Sequence, residues 1–119
     1  MFSDWKSLVP HIKKSFGTLS KAHPKMVAAY QALDLASADG GALDPKTREL
    51  ISLAVAVTTR CDGCIGTHAQ AAATHGATEA EIAAALATAI SLNAGAAYVY
   101  SLHALEAFSS FSDAKKLIA

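Results

Sequence analysis

The 119-residue sequence predicts an all-α fold, a single domain of about six helices that associates with copies of itself. Three observations carry this. Alanine dominates, β-branched runs are short and no two alternating segments flank a hairpin turn, so helix is favoured nearly throughout. The length suits one domain with one core, and no repeat, linker or low-complexity tail divides residues 1–119. Hydrophobic residues make up 52% of the chain and charged residues only 17%, against roughly 25% charged in an average soluble domain. So few charges cover a small surface poorly, and the excess apolar area is most easily hidden between subunits.

The first helix is expected within residues 4–21, with Pro10 starting a new turn or a kink, because proline removes a backbone donor. Pro24 suits the first position of a second helix, "PKMVAAYQALDLASAD", which Gly40 and Gly41 end. Asp44 and Pro45 read as the N-cap and first residue of a third, "PKTRELISLAVAVTTR". Its stretch from Leu50 to Val57 is apolar on nearly every side, so this helix should be central and enclosed by the others. A fourth helix begins in or just after "CDGC" and stops at Gly76, a natural left-handed cap. Thr78 and Glu81 form a capping-box pattern that opens a fifth, "EAEIAAALATAISLN". Asn93 and Gly95 suggest a break before a sixth, "AAYVYSLHALEAFSSF", and residues 112–119 a short terminal turn or helix. Trp5, Phe16, Tyr30, Tyr98, Tyr100, Phe108 and Phe111 read as core or interface bulk rather than as a cofactor box.

Charge excludes some functions. Ten basic residues balance ten acidic ones and are scattered, so there is no basic field for nucleic acid or anionic lipid. The first sixteen residues carry Asp4 and no continuous apolar stretch, unlike a secretory signal. No segment is expected to approach the roughly 20 apolar residues that span a bilayer. The expected compartment is the cytoplasm, where a close cysteine pair is more often catalytic or metal-binding than a structural staple.

The chemistry concentrates in "TTRCDGCIGTHAQAAATHG", residues 58–76, which holds both cysteines and two of the five histidines. On a helix, Cys64 and His68 are i and i+4 and share a face. Cys61 and Cys64, three apart at the helix start, can close a disulfide with little backbone movement. Thiols there meet unpaired N–H groups and the positive end of the helix dipole, and both favour the thiolate. An imidazole one turn on could accept the Cys64 proton or stabilise its charge. Three readings stay open on spacing alone: buried small hydrophobes, half a zinc site, or a redox pair. A structural zinc needs four ligands, and only Cys61, Cys64 and His68 cluster. Glu49 reads either as a first-turn acid favoured by the helix dipole or as a part-buried carboxylate in need of a partner. His75, seven residues past His68, reads as a second-layer group or a surface residue at the helix end. His11, His23 and His103 have no chemical neighbour in sequence, Gly63 eases the turn between the cysteines and Asp62 faces solvent.

The pattern E-x11-C-x2-C-x3-H, met by Glu49, Cys61, Cys64 and His68, resembles that of the alkylhydroperoxidase D-like (AhpD-like) proteins of the carboxymuconolactone decarboxylase superfamily. The likeness covers residues 44–90 well and 20–110 loosely. It implies an AhpD-like helical fold, homo-oligomers (trimers or hexamers), and a site without metal or organic cofactor that cycles between dithiol and disulfide. It implies a small hydroperoxide as substrate, and a dithiol electron donor such as a lipoylated or thioredoxin-like protein. Carried over, Cys64 attacks the peroxide, Cys61 resolves the sulfenic acid, and His68 and Glu49 relay the proton. The best-known peroxidase of the group has a histidine where this chain has Gly63. The superfamily's decarboxylases lack the cysteine pair, so its presence argues against lactone decarboxylation. Two alternatives to a thiol-dependent hydroperoxide reductase are a protein thiol–disulfide oxidoreductase and a non-catalytic oligomeric scaffold.

Glu49 lies roughly 18 Å of helix rise before Cys61, and His68 roughly 10 Å after it. Only a sharp chain reversal between the third and fourth helices would bring the two together.

Overall fold

The computed structural model describes residues 2–112, which form five helices and no strand. Local signals explain most of the helix starts. α1 (Trp5–Ala22) runs on through Pro10, which lies inside it. α2 (Pro24–Ala36) has Pro24 in its first turn, and the His23 imidazole accepts the Met26 N–H at 3.3 Å. α3 (Pro45–Thr59) is capped by the Asp44 carboxylate, which accepts the Thr47 N–H at 2.8 Å. That bond holds the Asp44 carboxyl below its ordinary value. α4 (Asp62–Thr74) has Cys61 as its N-cap, and Gly76 follows it with φ +79°. α5 (Glu79–Phe111) opens on a complete capping box between Thr78 and Glu81.

α3 packs against both α4 and α5; α4 in turn carries α1, and α1 carries α2. Two bonds near its start tie distant elements to α3. The Arg48 guanidinium donates to the Ser37 hydroxyl at 2.8 Å, and Lys46 pairs with Glu81 at 2.8 Å. The core is small. Val9, Val27, Leu53, Ala56, Ala72 and Ala89 are its buried apolar side chains among the described residues.

Three sequence expectations are corrected. The second helix ends at Ala36, ahead of Gly40 and Gly41; both glycines are left-handed, in the turn and loop that follow. The break at Asn93 is absent and α5 runs unbroken for 33 residues. Asn93 donates to the Ala89 carbonyl at 2.7 Å and to the Thr58 hydroxyl at 2.8 Å, so its amide is satisfied without leaving the helix. α3 is central but not enclosed: Ile51 is 49% and Val55 56% exposed, because α1 packs mainly on α4 and α2 mainly on α1, which leaves this flank largely uncovered. Of the two roles expected for the aromatics, core or interface bulk, Phe16, Tyr30, Tyr98, Tyr100, Phe108 and Phe111 do not take the first: they are exposed in the single chain. Beyond Ser112, the expected terminal turn lies outside the described residues.

The accessible surface is 9406 Å², against about 6,100 Å² for a compact monomer of this mass. The radius of gyration is 20.6 Å, against about 13.5 Å for a compact domain. α5 is also long and apolar enough, by length and composition, to cross a membrane, which amends the expectation that no segment comes near that size. Its first half is nonetheless packed on α3.

Candidate active site

The site begins with a reversal that no glycine provides. Arg60, the C-cap of α3, has a left-handed backbone (φ 55°, ψ 46°), and the Cys61 N–H returns to the Ala56 carbonyl at 3.1 Å. An L-residue pays about 1–2 kcal/mol for that conformation. In return only Arg60 and Cys61 separate α3 from α4, and α4 runs back along α3.

That reversal brings Glu49 and His68, nineteen positions apart, into contact: Glu49 Oε2 lies 2.6 Å from His68 Nδ1. The Glu49 side chain is 18% exposed and the His68 side chain 31%, so the pair is partly shielded from water. With Nδ1 engaged by the carboxylate, Nε2 is the nitrogen left to accept a proton.

Cys61 and Cys64 are joined as a disulfide, with Cα atoms 5.2 Å apart. The Cys61 sulfur accepts the Cys64 N–H at 3.1 Å, as expected of an N-cap side chain. Cys64 and His68 open onto one cavity of about 260 Å³, whose remaining wall is Ile51, Ser52, Val55, Ala56 and Thr59 of α3. Ser52 and Thr59 donate their hydroxyls to carbonyls of their own helix, at 2.8 Å and 3.1 Å, which leaves lone pairs but no free proton for the cavity. Otherwise this wall is apolar.

α1 closes the other side of the motif. A Cβ on Gly63 would lie 2.6 Å from Cδ1 of Ile12, and one on Gly66 would lie 3.1 Å from Cγ2 of Val9. Both glycines permit the approach of α1, and any side chain at Gly63 requires Ile12 to move. Asp62 is exposed, His75 is the exposed C-cap of α4, and His11 and His103 are exposed; His23 serves as a cap. Among the described residues no three His, Cys, Asp or Glu side chains gather as metal ligands would.

All four residues singled out in the sequence therefore meet in one place. Sequence reasoning missed the α3 wall, although a signal existed: Ser52, Ala56 and Thr59 follow Glu49 by three, seven and ten residues and share its helical stripe. Arg60 carried no signal at all.

The sequence model of the carboxymuconolactone decarboxylase family matches residues 24–107. An uncharacterized protein of Haemophilus influenzae is 68% identical over 109 residues, spanning 92% of this chain and 96% of its own length. An uncharacterized protein of Cupriavidus necator is 33% identical over 112 residues, spanning 94% and 99%. The crystal structure of an apo carboxymuconolactone decarboxylase family protein from Legionella pneumophila superposes with a TM-score of 0.71 at 36% identity, covering 93% of this chain and 100% of that one.

Proposed function

This chain belongs to the carboxymuconolactone decarboxylase family, and from that premise we propose that it is a thiol-dependent hydroperoxide reductase working as a homo-oligomer in the cytoplasm. The observation that carries the reading is the convergence of a Glu49–His68 pair and Cys64 on one small, largely apolar cavity. Cys61 sits behind Cys64, within bonding distance of it.

The reduced protein starts the cycle. His68, held in one tautomer by Glu49, takes the Cys64 proton, and the helix terminus further favours the thiolate. The Cys64 sulfur attacks the distal peroxide oxygen; the O–O bond breaks, the sulfur becomes a sulfenic acid, and the alkoxide leaves as alcohol with the proton from His68. The Cys61 thiol then gives up its proton, its sulfur attacks the Cys64 sulfur and forms the disulfide, and the expelled hydroxide takes that proton and leaves as water. An external dithiol, a lipoylated or thioredoxin-like protein, returns two electrons and two protons.

One observation favours a second reading. Cys61 is the N-cap and its sulfur already accepts a backbone N–H, the position that suits an attacking thiol in protein thiol–disulfide exchange. Cumene hydroperoxide separates the two. A hydroperoxide reductase, reduced and freed of reductant, consumes one hydroperoxide per chain and loses both thiols together. Absence of consumption, with intact exchange against a protein disulfide, would replace the first reading with the second.

A further inference from the structure

The cavity beside Cys64 and His68 is open on one side, and the residues that leave it open belong to two grooves at once. Ile51 and Val55 line this cavity and also an apolar groove of about 330 Å³ between α3 and α5, completed by Ala54, Leu92 and Ala96. Both residues are about half exposed, so whatever covers this flank of α3 covers groove and cavity together.

The chain carries a segment with the opposite problem. Every residue of α5 from Ala96 to Phe108 is exposed. Within and just beyond it, Tyr98, Val99, Tyr100, Leu102, Leu105, Phe108 and Phe111 are between 57% and 91% exposed and spread around the helix. A helix apolar on most sides is stable when other elements surround it. These side chains offer on the order of 900 Å² of surface, close to the roughly 800 Å² per partner of a standard interface. From Ala96 to Phe111 the helix rises about 24 Å, so it reaches well past the body that its own first half packs on.

We propose that the free half of α5 from a second copy of this chain lies in the groove at Ile51 and Val55 and supplies the missing wall of the Cys64–His68 cavity. The occupant is a second copy because the surface in excess of a compact monomer exists on this chain twice over, as a bare groove and as a bare apolar helix. A bilayer fits the segment less well: a span would have to start after Asn93, which is bonded to Thr58 on α3, and would bury His103 and Glu106 in hydrocarbon. The consequence is functional. Each redox site is walled by two chains, and the part of the substrate beyond the peroxide oxygens meets the partner's apolar side chains. The inference rests on the reading of Cys64 as the thiol that faces substrate, but not on peroxide being that substrate.

The test uses the full chain in a Cys61→Ser background, so that Cys64 is the one reporting thiol. Leu105→Glu with Phe108→Glu charges the free half of α5, where both side chains are about two-thirds exposed; Val55→Glu independently charges the groove. Each should reduce the assembly to single chains by light scattering at micromolar concentration, with the helical circular dichroism retained for the α5 variant. Each should also speed alkylation of Cys64 by a bulky maleimide about tenfold while iodoacetamide changes little, since an enclosed pocket shields mainly against large reagents. Persistence of the assembly in the α5 variant overturns the proposal. So does dissociation without any change in maleimide reactivity, which would make this helix an interface and not a wall. Monomeric wild-type protein that binds phosphatidylcholine vesicles overturns it in favour of a membrane. None of these readouts involves peroxide turnover, so failure of the hydroperoxide reading would be seen separately.

Discussion

Replacing Glu49 with glutamine leaves a side chain of the same length beside His68 and removes one charge. In the reaction proposed here His68 becomes an imidazolium as Cys64 loses its proton. Glu49 Oε2, 2.6 Å from Nδ1, then stabilises that state more than the neutral one. A hydrogen bond to an ionised group contributes about 1.5–3 kcal/mol and a neutral one about 1 kcal/mol, so glutamine forfeits about 1–2 kcal/mol in the charged state alone. Coulomb's law at about 4 Å and an effective dielectric constant near 20 allows up to about 4 kcal/mol. Side-chain exposures of 18% and 31% mean water screens part of that, which supports the lower range. At 1.36 kcal/mol per decade, attack on hydroperoxide should slow about 5- to 30-fold near neutral pH. The assay is single-turnover consumption of cumene hydroperoxide by pre-reduced protein, followed from about pH 6 to about pH 10. As alkali forms the thiolate without help, the deficit should shrink. Because Glu49 acts through His68, Glu49→Gln added to His68→Gln should cost almost nothing further. A Glu49→Gln rate within about twofold of wild type at neutral pH, or a deficit constant across the whole range, would refute the relay.

The order of the cysteines can be read chemically: Cys64→Ser should abolish hydroperoxide consumption, while Cys61→Ser should permit one attack and leave a sulfenic acid trapped by dimedone on Cys64. Finding that adduct on Cys61 in the Cys64→Ser protein would reverse their roles. The left-handed Arg60 should tolerate glycine within about 1 kcal/mol but lose about 1–2 kcal/mol or more to a β-branched valine, measured by urea unfolding; equal stability of the two variants would deny that the turn constrains the site. The Lys46 ammonium, bonded at 2.8 Å, lowers the Glu81 carboxyl's pKa, and Glu81 raises that of Lys46. The glutamate contribution is therefore present above its unfolded titration range and lost as pH falls through its lowered folded value. The lysine contribution is present below its unfolded range and lost as pH rises through its raised folded value. Glu81→Gln, which can keep the capping bond, should accordingly melt earlier than wild type at neutral pH and level with it in strong acid. A difference that ignores pH would assign the effect to the cap instead.

Most helix starts were legible because they are settled within a few residues. Asp44 reaches Thr47, Thr78 reaches Glu81, and Gly76 needs only its own φ, so each signal and its partner lie in one short stretch. The four site residues were legible for a different reason: their spacing matched a known family. The continuity of α5 was not, since one of the two bonds that the Asn93 amide donates goes to the Thr58 hydroxyl, thirty-five positions away. Nor was the open flank of α3. A sequence shows that Ile51 and Val55 are apolar, but which neighbour covers them depends on where α1 and α2 stack.

The sequence by itself determined an all-helical chain, a cysteine pair at a helix start with an imidazole one turn on, and an acid on the preceding helix. These follow from hydrogen bonds and side-chain spacings that act over a turn or two. Tertiary structure alone decided that the acid and the imidazole touch. Arg60, a residue with no intrinsic preference for the left-handed backbone, adopts it because the packing of α4 along α3 outweighs its local cost of about 1–2 kcal/mol. Local propensity opposes that turn, and only contacts between the two helices, formed once the chain has already reversed, make it the stable one.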